Sequence, residues 1–367
     1  MSSNQKNNRV FLWCSGIDNF FKETGFVSGV QVQMSFWAQT FASKRWEVYS
    51  FSSDGKDETL KGVHFISEKN PAIFQKLHIS FIGELLNIWK GIVKTRPDVV
   101  IIRGALREVY LLSVFCKLKR IKLVFMGASD VNFIIGRDVI PGPKLNTNLY
   151  RRALKKTDYI VSQNTLQADC VKKYYNKESL IIPNIWVLDS SITNDELQYD
   201  AIWVSNLSPV KQADWFLRLA ERLPRYRFAL VGGSRSKKCY DEIKAGAELI
   251  SNLDFLGQQS FLETTSLISR SRILVCTSEH EGFPNTFLQA WAMSKPVVST
   301  VDPNSVITIN GLGHYVVNED ELAEKVESLI KNVEDYGQCV ENVKSYFDSN
   351  HSSDHAFKRL IDYLYAK

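Results

Sequence analysis

The stretch of sequence that decides the fold is residues 272–300, RILVCTSEHEGFPNTFLQAWAMSKPVVST. Residues 272–276 and 296–300 have the apolar, β-branched composition of buried strands. Between them, a turn that contains glycine and proline leads into a helix starting near Asn285 or Thr286. The first backbone N–H groups of a helix are free and lie at its positive end, which suits a phosphate group. The stretch therefore predicts a strand–turn–helix–strand unit of a parallel sheet, with an anion site at the turn.

The same alternation of short apolar runs and helix-length segments extends over the whole chain. The predicted strands are 9–14, 47–51, 98–102, 122–126, 159–162 and 179–182, then 201–205, 227–231, 254–256, 272–276 and 296–300. A linker is predicted at 185–198. The pattern predicts two Rossmann-like, doubly wound α/β domains, 1–185 and 186–350, whose strand ends face a cleft. The last segment, 351–367, is predicted to be a helix that packs back on the domain junction.

The charge of the chain is divided unevenly between its halves. Residues 1–185 carry 27 Lys and Arg against 15 Asp and Glu, whereas residues 186–367 carry 18 against 25. A basic half indicates an anionic partner, which can be nucleic acid, a membrane surface or a phosphorylated substrate. The composition, 44% hydrophobic and 23% charged, is typical of a folded globular protein and excludes a disordered or fibrous chain.

Cysteine spacing and the N-terminal sequence indicate the compartment. The six cysteines are widely spaced without a C-x-x-C pair, and no histidines lie near them at ligand spacing. We therefore expect reduced thiols and no zinc site. The N-terminal segment is polar and no long apolar run occurs, so a cytoplasmic protein without a membrane span is expected.

The turn after the strand at 272–276 resembles the EGFPN signature of family-4 glycosyltransferases, which are retaining, nucleotide-sugar-dependent enzymes of the GT-B fold. Glu281 matches the first glutamate of the family's E-x7-E motif, and Gln289 stands at the second. The resemblance implies that Glu281 binds hydroxyls of the donor sugar and that position 289 binds the ribose. It also implies that the distal phosphate is held by the turn and the helix start, which are Gly282, Phe283, Pro284, Asn285 and Thr286.

A second match follows the predicted linker, where residues 203–211, WVSNLSPVK, resemble the family's V-G-R-L-x-P-x-K loop. In the family, that arginine and lysine together bind the donor diphosphate. Lys211 matches the lysine, whereas Asn206 stands at the position of the arginine. A lysine supplies a point charge without the fork geometry of a guanidinium. Arg235, in the loop after the strand at 227–231, is the candidate for the missing cation.

Candidate residues on the acceptor side come from the first half. Arg103 ends the strand at 98–102 and either binds an acceptor phosphate or pairs with Glu108. Asp130 follows the strand at 122–126 and is either a catalytic group on the acceptor side or the cap of a helix. Gly29 is also assigned to the acceptor side. The dinucleotide fingerprint G-x-G-x-x-G is absent, which argues against a simple NAD site.

The resemblance implies an enzyme that moves a hexose-type sugar from a nucleoside-diphosphate sugar to a glycan or lipid-linked acceptor, in bacterial surface polysaccharide biosynthesis. The sequence contains no D-x-D motif, and fixed positive groups replace a metal in this fold, so neither a metal nor a cofactor is expected. Two alternatives stay open. One is a GT-B nucleotide-sugar epimerase; the other is a non-catalytic nucleotide-sugar-binding partner, which Asn206 and Gln289 motivate.

The basic first half has clusters of lysine and arginine at 117–122, 151–156 and 172–173. Together with the amphipathic segment 79–93, they favour docking on anionic lipid at the inner face of the membrane. Nucleic acid is not expected as the partner, because no nucleic-acid motif occurs and aromatic residues are not interleaved with the basic ones.

Overall fold

The computed structural model describes residues 8–22, 28–67, 80–106, 108–135, 139–140, 144–187, 196–234, 236–281 and 283–366. The chain divides into two compact units, and each is an α/β fold with its own sheet. The first unit comprises Met1–Val187 together with Ser352–Lys367, and the second comprises Leu188–His351.

The first unit contains an eight-stranded sheet with the order β3-β4-β2-β1-β5-β6-β7-β8. Its strands are β1 (Arg9–Trp13), β2 (Glu47–Ser52), β3 (Glu58–Leu60), β4 (Val63–Ser67), β5 (Val99–Arg103), β6 (Lys122–Met126), β7 (Tyr159–Ser162) and β8 (Leu180–Ile181). Its helices are α1 (Asp18–Lys22), α2 (Gly29–Ser43), α3 (Ser80–Thr95), α4 (Glu108–Lys119), α5 (Lys144–Lys156) and α6 (Thr165–Tyr175). All neighbouring strands are parallel except β3 and β4.

The middle of this sheet explains why the sequence folds as predicted. All five residues of β5 are buried, as expected for a parallel strand that is covered on both faces. The long helix α2 starts at a reciprocal cap, in which Ser28 Oγ accepts from Gln31 N and Gln31 Oε1 accepts from Ser28 N. The sheet reverses its strand order between β1 and β5, where α/β sheets bind ligands at the carboxyl ends of the strands.

The second unit contains a six-stranded parallel sheet with the order β11-β10-β9-β12-β13-β14. Its strands are β9 (Tyr199–Val204), β10 (Phe228–Val231), β11 (Leu253–Gly257), β12 (Ser271–Cys276), β13 (Val297–Ser299) and β14 (Gly313–Tyr315). Its helices are α7 (Ala213–Arg222), α8 (Lys237–Glu248), α9 (Phe261–Ser269), α10 (Asn285–Ala292), α11 (Val306–Asn310), α12 (Glu319–Lys331) and α13 (Val333–Asn350). This is the strand order of a Rossmann sheet, and it reverses between β9 and β12.

The last helix, α14 (Ser353–Tyr365), lies in the first unit although it follows the second unit in the sequence. Phe357 packs edge-on against Phe41 of α2, with ring centroids 5.1 Å apart. Lys122, at the start of β6, donates from Nζ to the carbonyl oxygen of Leu364 at 2.7 Å. Within the described residues, no helix is both long and apolar enough to cross a membrane.

The prediction of two doubly wound parallel-sheet domains is confirmed, whereas the five-residue strand β4 and the two three-residue strands β3 and β14 were not predicted. Strand β3 has three residues, Glu-Thr-Leu, and pairs antiparallel with β4 at the edge of the first sheet. Strand β14 also has three residues and begins at Gly313, whose φ is +131°. Segments this short carry too few side chains to show an alternating pattern.

Candidate active site

The two strands at the reversal of the second sheet carry the residues that the sequence singled out. Strands β9 and β12 are direct neighbours, with Trp203 opposite Val275. Lys211 ends the 3-10 turn Pro209–Lys211 that follows β9, and Glu281 lies in the loop that follows β12. The topology therefore places both loops at the edge of the sheet where ligands bind.

Lys211 and Glu281 are in direct contact, because the Lys211 ammonium binds Glu281 Oε1. Ser278 Oγ donates to the same carboxylate oxygen at 3.2 Å. The side chains of Lys211 and Glu281 are 21% and 20% exposed, so a ligand can reach both groups. The site thus holds a cation and an anion that neutralise each other and remain accessible from solvent.

Thr277 joins the two loops. Its Oγ1 accepts from Trp203 Nε1 at 2.9 Å and lies 2.8 Å from the carbonyl oxygens of both Lys211 and Gln212. One hydroxyl proton can be donated to only one of these carbonyls at a time. Thr277 is fully buried, so its hydroxyl fixes the backbone of Lys211 from inside the fold.

The loop that contains Asn206 is held by a neighbouring glycine-rich loop. Leu207 N donates to the carbonyl oxygen of Gly233 at 2.8 Å, and Asn206 itself is exposed. A Cβ atom at Gly232 would lie 2.1 Å from the carbonyl oxygen of Ser205, so only glycine allows this approach. Arg235, the predicted second cation, lies outside the described residues.

The turn before α10 places an uncapped helix start next to Glu281. Pro284 occupies the N-cap position and makes no side-chain cap, while Asn285 and Thr286 begin the helix. Phe283 is half-buried and packs edge-on against Trp291, with ring centroids 6.1 Å apart. Gly282 lies outside the described residues. The backbone dipoles of α10 therefore present a positive end without a competing side-chain acceptor at the cap.

Gln289, to which the resemblance assigns ribose binding, is buried in the structure. It is only 5% exposed and donates from Nε2 to Thr265 Oγ1 of α9 at 2.6 Å. Helix α10 is buried on several faces, and Gln289 packs against this neighbouring helix. Binding of a ribose at this position stays a prediction.

The first unit places Arg103 and Asp130 at the ends of neighbouring strands. Arg103 is 5% exposed and donates from Nη2 to Asn184 Oδ1 at 2.6 Å. Among the described residues it has no carboxylate within ion-pair distance, so the predicted pairing with Glu108 is wrong. Burial lowers the pKa of Arg103 to about 10, which still leaves it charged at neutral pH.

Asp130 starts the 3-10 turn Asp130–Asn132, and Ser129 holds the cap position before it. The Asp130 carboxylate accepts from Gln167 Nε2 at 2.9 Å and from Asn164 Nδ2 at 3.3 Å, both at the start of α6. It therefore does not cap its own turn, and its role on an acceptor stays a prediction. Gly29 is the exposed first residue of α2.

Three described carboxylates of the first unit, Asp18, Asp54 and Glu58, lie close enough together to share a cation. Lys22 already contacts all three, at 3.4 Å from Asp18, 3.1 Å from Asp54 and directly against Glu58. These hydrogen bonds, above all the one with Glu58, raise the pKa of Lys22. A lysine of the chain itself therefore lies among the three carboxylates and balances one of their charges.

Two protein-family models match the two units. Residues 198–332 match the model of glycosyl transferases group 1, and residues 26–164 match the glycosyl transferase 4-like model. The chain therefore contains a glycosyl transferases group 1 segment in its second unit and a glycosyl transferase 4-like segment in its first. The resemblance seen in the EGFPN turn is confirmed, and Lys211 and Glu281 lie within the matched group 1 segment.

Named relatives and solved structures agree with these matches. The chain is 26% identical over 212 residues to an uncharacterized glycosyltransferase, MJ1178, of Methanocaldococcus jannaschii, covering 52% of this chain and 58% of that protein. It is 24% identical over 170 residues to the O-antigen biosynthesis glycosyltransferase WbnH of Escherichia coli, covering 46% and 48% of the two chains. The chain thus spans about half the length of these curated relatives.

Sucrose-phosphate synthase from Thermosynechococcus elongatus superposes with a TM-score of 0.70 at 14% identity, covering 98% of this chain and 100% of the other, which shows the GT-B fold.

Proposed function

We propose that this glycosyltransferase moves a hexose-type sugar from a nucleoside-diphosphate sugar to a glycan or lipid-linked acceptor in the assembly of a bacterial surface polysaccharide, with retention of anomeric configuration. The observation that carries the proposal is the accessible contact between Lys211 and Glu281 at the reversal of the second sheet. The name of the Escherichia coli relative, an O-antigen biosynthesis glycosyltransferase, supports a glycan acceptor.

In the proposed mechanism, donor binding separates this ion pair. The diphosphate replaces Glu281 as the partner of the Lys211 ammonium, and the released carboxylate accepts hydrogen bonds from sugar hydroxyls. As the bond between sugar and diphosphate breaks, negative charge grows on the leaving phosphate. Lys211 and the start of α10, at Asn285 and Thr286, stabilise that charge while the sugar acquires oxocarbenium character. These fixed positive groups serve the leaving group in place of a metal. The acceptor hydroxyl then bonds to the anomeric carbon on the face that the diphosphate leaves, and its proton passes to the leaving phosphate.

The remaining donor contacts of the proposal are weaker than those of the family pattern. Asn206 is exposed and neutral where the family has an arginine, so Lys211 carries most of the attraction for the diphosphate. Arg235 is the proposed second cation. Gln289 contacts the ribose only if its hydrogen bond with Thr265 is given up or if its carbonyl oxygen is used.

The acceptor belongs, in this proposal, to the first unit. Arg103 is the last residue of β5, and Asp130 lies shortly after the end of β6. Gly29 is the first residue of helix α2. The Asp130 carboxylate is held by two amide groups, which fixes its direction and leaves it an acceptor for a sugar hydroxyl.

We also propose that the first unit docks on anionic lipid. Leu86, Trp89 and Val93 lie on one face of α3 and are 48%, 56% and 37% exposed. Exposed Lys117 and Lys119 end the adjacent helix α4. An apolar face beside basic residues is typical of a peripheral membrane surface. Such docking would bring a lipid-linked acceptor to the enzyme at the inner face of the membrane.

The test is a panel of nucleotide sugars with a set of oligosaccharide acceptors, with release of nucleoside diphosphate and the sugar product measured together. We expect turnover of at least one donor, loss of that turnover in Glu281→Gln, and an α- or β-configuration in the product equal to that of the donor by NMR. Glu279→Gln is the matched control, because the Glu279 side chain is 58% exposed and its carboxylate pairs with His280 and with no other described residue.

Three outcomes contradict the proposal in different ways. A changed donor sugar without acceptor would indicate an epimerase, and tight donor binding without turnover would indicate a non-catalytic binding protein. Inversion of the anomeric configuration would leave the transfer standing and refute the retaining mechanism.

A further inference from the structure

A pocket of about 620 Å³ lies in the first unit at the reversal of its sheet. Its wall includes Cys14, which follows β1, Arg103, which ends β5, and Gln31, which lies in the first turn of α2. Trp13 and Val131 contribute apolar surface. The volume falls in the range of small-molecule sites, and the position is the ligand-binding edge of a doubly wound sheet.

Arg103 puts a buried positive charge in the wall of this pocket. Its hydrogen-bonding neighbours are neutral: Nη2 donates to Asn184 Oδ1 at 2.6 Å and lies 2.8 Å from the side-chain amide of Gln163, which accepts when its oxygen faces the guanidinium. Nε is buried without a partner, and Nη1 makes no hydrogen bond within the described part of the chain. A charge that is 95% buried normally has a counter-ion, because desolvation without one is costly.

No neighbouring group of the described chain supplies that counter-ion. Cys14 is the nearest candidate, but burial raises the pKa of its thiol to about 12, so it is uncharged at neutral pH. Glu108 is the one carboxylate in the described wall, yet it makes no ion pair with Arg103. It begins α4, where the positive end of that helix stabilises its charge. The Arg103 charge is therefore left for an external anion.

The start of α2 adds to the positive potential in the same pocket. Ser28, Val30 and Gln31 line it, and α2 is 15 residues long. The side chains of Ser28 and Gln31 cap each other's backbone, while Gln31 Nε2 donates to the carbonyl oxygen of Ser15 at 3.0 Å. The pocket thus combines a helix N-terminus with a guanidinium that has no carboxylate partner among the residues that the structure describes.

We infer that this pocket binds a singly charged anionic group of the acceptor, the carboxylate of an acidic sugar or a phosphodiester, and that Arg103 is the residue that selects it. One guanidinium balances one negative charge, whereas a doubly charged phosphate monoester would leave a buried charge uncompensated. A guanidinium also matches the paired oxygens of a carboxylate or phosphate better than an ammonium. That the anion belongs to the acceptor rests on the proposed function, whereas binding of the anion does not.

The experiment is an NMR titration of the full chain without nucleotide, with four ligands that share one sugar ring. They are methyl glucoside, methyl glucuronide, the glucoside carrying a methyl phosphodiester at O6, and the glucoside 6-phosphate at a pH where it is doubly charged. We expect methyl glucuronide or the phosphodiester to bind at least tenfold more tightly than methyl glucoside. Which of the two binds more tightly identifies the source of the anion.

Variants test whether Arg103 is the residue that selects the anion. Arg103→Gln should abolish the preference for the anionic ligand and leave binding of methyl glucoside unchanged, and Arg103→Lys should keep part of the preference. Glu108→Gln is the matched control in the same wall, and it should retain or increase the preference.

Equal binding of the neutral and singly charged ligands would overturn the inference, as would tightest binding of the doubly charged phosphate. A preference that survives in Arg103→Gln would overturn the role of Arg103. The ligand comparison on the unaltered chain decides whether the pocket prefers a singly charged anion, even if Arg103→Gln does not fold. Binding of the anion with no turnover of any nucleotide sugar would refute the proposed function and leave the anion site standing.

Discussion

Replacing Lys211 by alanine should separate catalysis from stability more clearly than any other change in the second unit. The Lys211 ammonium forms an ion pair with Glu281, and it is the proposed partner of the leaving diphosphate. Removing one preorganised group that stabilises transition-state charge typically lowers kcat by about 10²–10³-fold. The effect on folding should be small, because both side chains are about one-fifth exposed and such ion pairs contribute up to about 1 kcal/mol.

The assay is the initial rate of nucleoside-diphosphate release with the best donor and acceptor, followed over donor concentration to separate kcat from KM. Urea unfolding of the same preparation gives the free energy of unfolding. Lys238→Ala is the matched control, since Lys238 is a lysine of the same unit whose side chain is 85% exposed and, among the described residues, pairs only with Glu242. It should change neither quantity.

Two results would refute this reasoning. The first is a Lys211→Ala enzyme whose kcat stays within threefold of the original, because the leaving group would then not depend on this ammonium. The second is a loss of activity that is matched by unfolding of the protein at the assay temperature. The double variant with Glu281→Gln gives a further check, since side chains in direct contact should have non-additive effects on kcat.

Three further predictions follow from other contacts. Thr277→Val should lower the free energy of unfolding by about 1–3 kcal/mol and also lower kcat, because a buried hydroxyl that holds the Lys211 backbone is lost; urea unfolding and initial rates measure both. Replacing Leu86 and Trp89 by serine should reduce co-sedimentation with anionic vesicles without changing turnover of a soluble acceptor, and unchanged co-sedimentation would refute the docking surface. Burial lowers the pKa of Lys295 to about 8, so the folded state binds fewer protons than the unfolded state between pH 8 and 10.5, and stability should rise with pH in this window. Lys295→Met should remove that rise and stabilise the protein at pH 7, as thermal unfolding at several pH values can show.

Much of the fold could be predicted because buried parallel strands have a distinctive composition. Strands such as β5 and β12 are apolar throughout, and the sequence placed them within one residue of their observed bounds. The turn before α10 was equally visible, since glycine and proline mark where a strand passes into a helix. The short edge strand β3 was missed because its three residues carry no periodic signal.

The candidate site was predictable in its residue types and not in its contacts. The resemblance to two family motifs identified Lys211 and Glu281 separately, but only the adjacency of β9 and β12 brings them together. Gln289 lies on a helix of eight residues, and a pattern this short does not show which face of the helix is exposed. In the structure, the Gln289 side chain donates a hydrogen bond to Thr265. The polar groups around Arg103 come from distant parts of the chain, so the absence of a counter-ion among the described residues had no signal in the sequence.

The most direct test of the central claim is a transfer assay with a nucleotide sugar labelled in the sugar ring, in which the label is followed into the acceptor. We expect labelled glycan and free nucleoside diphosphate in equal amounts, with both lost in Glu281→Gln and retained in Glu279→Gln. Label that stays on the nucleotide with every donor and acceptor, or transfer that persists undiminished in Glu281→Gln, would contradict the claim.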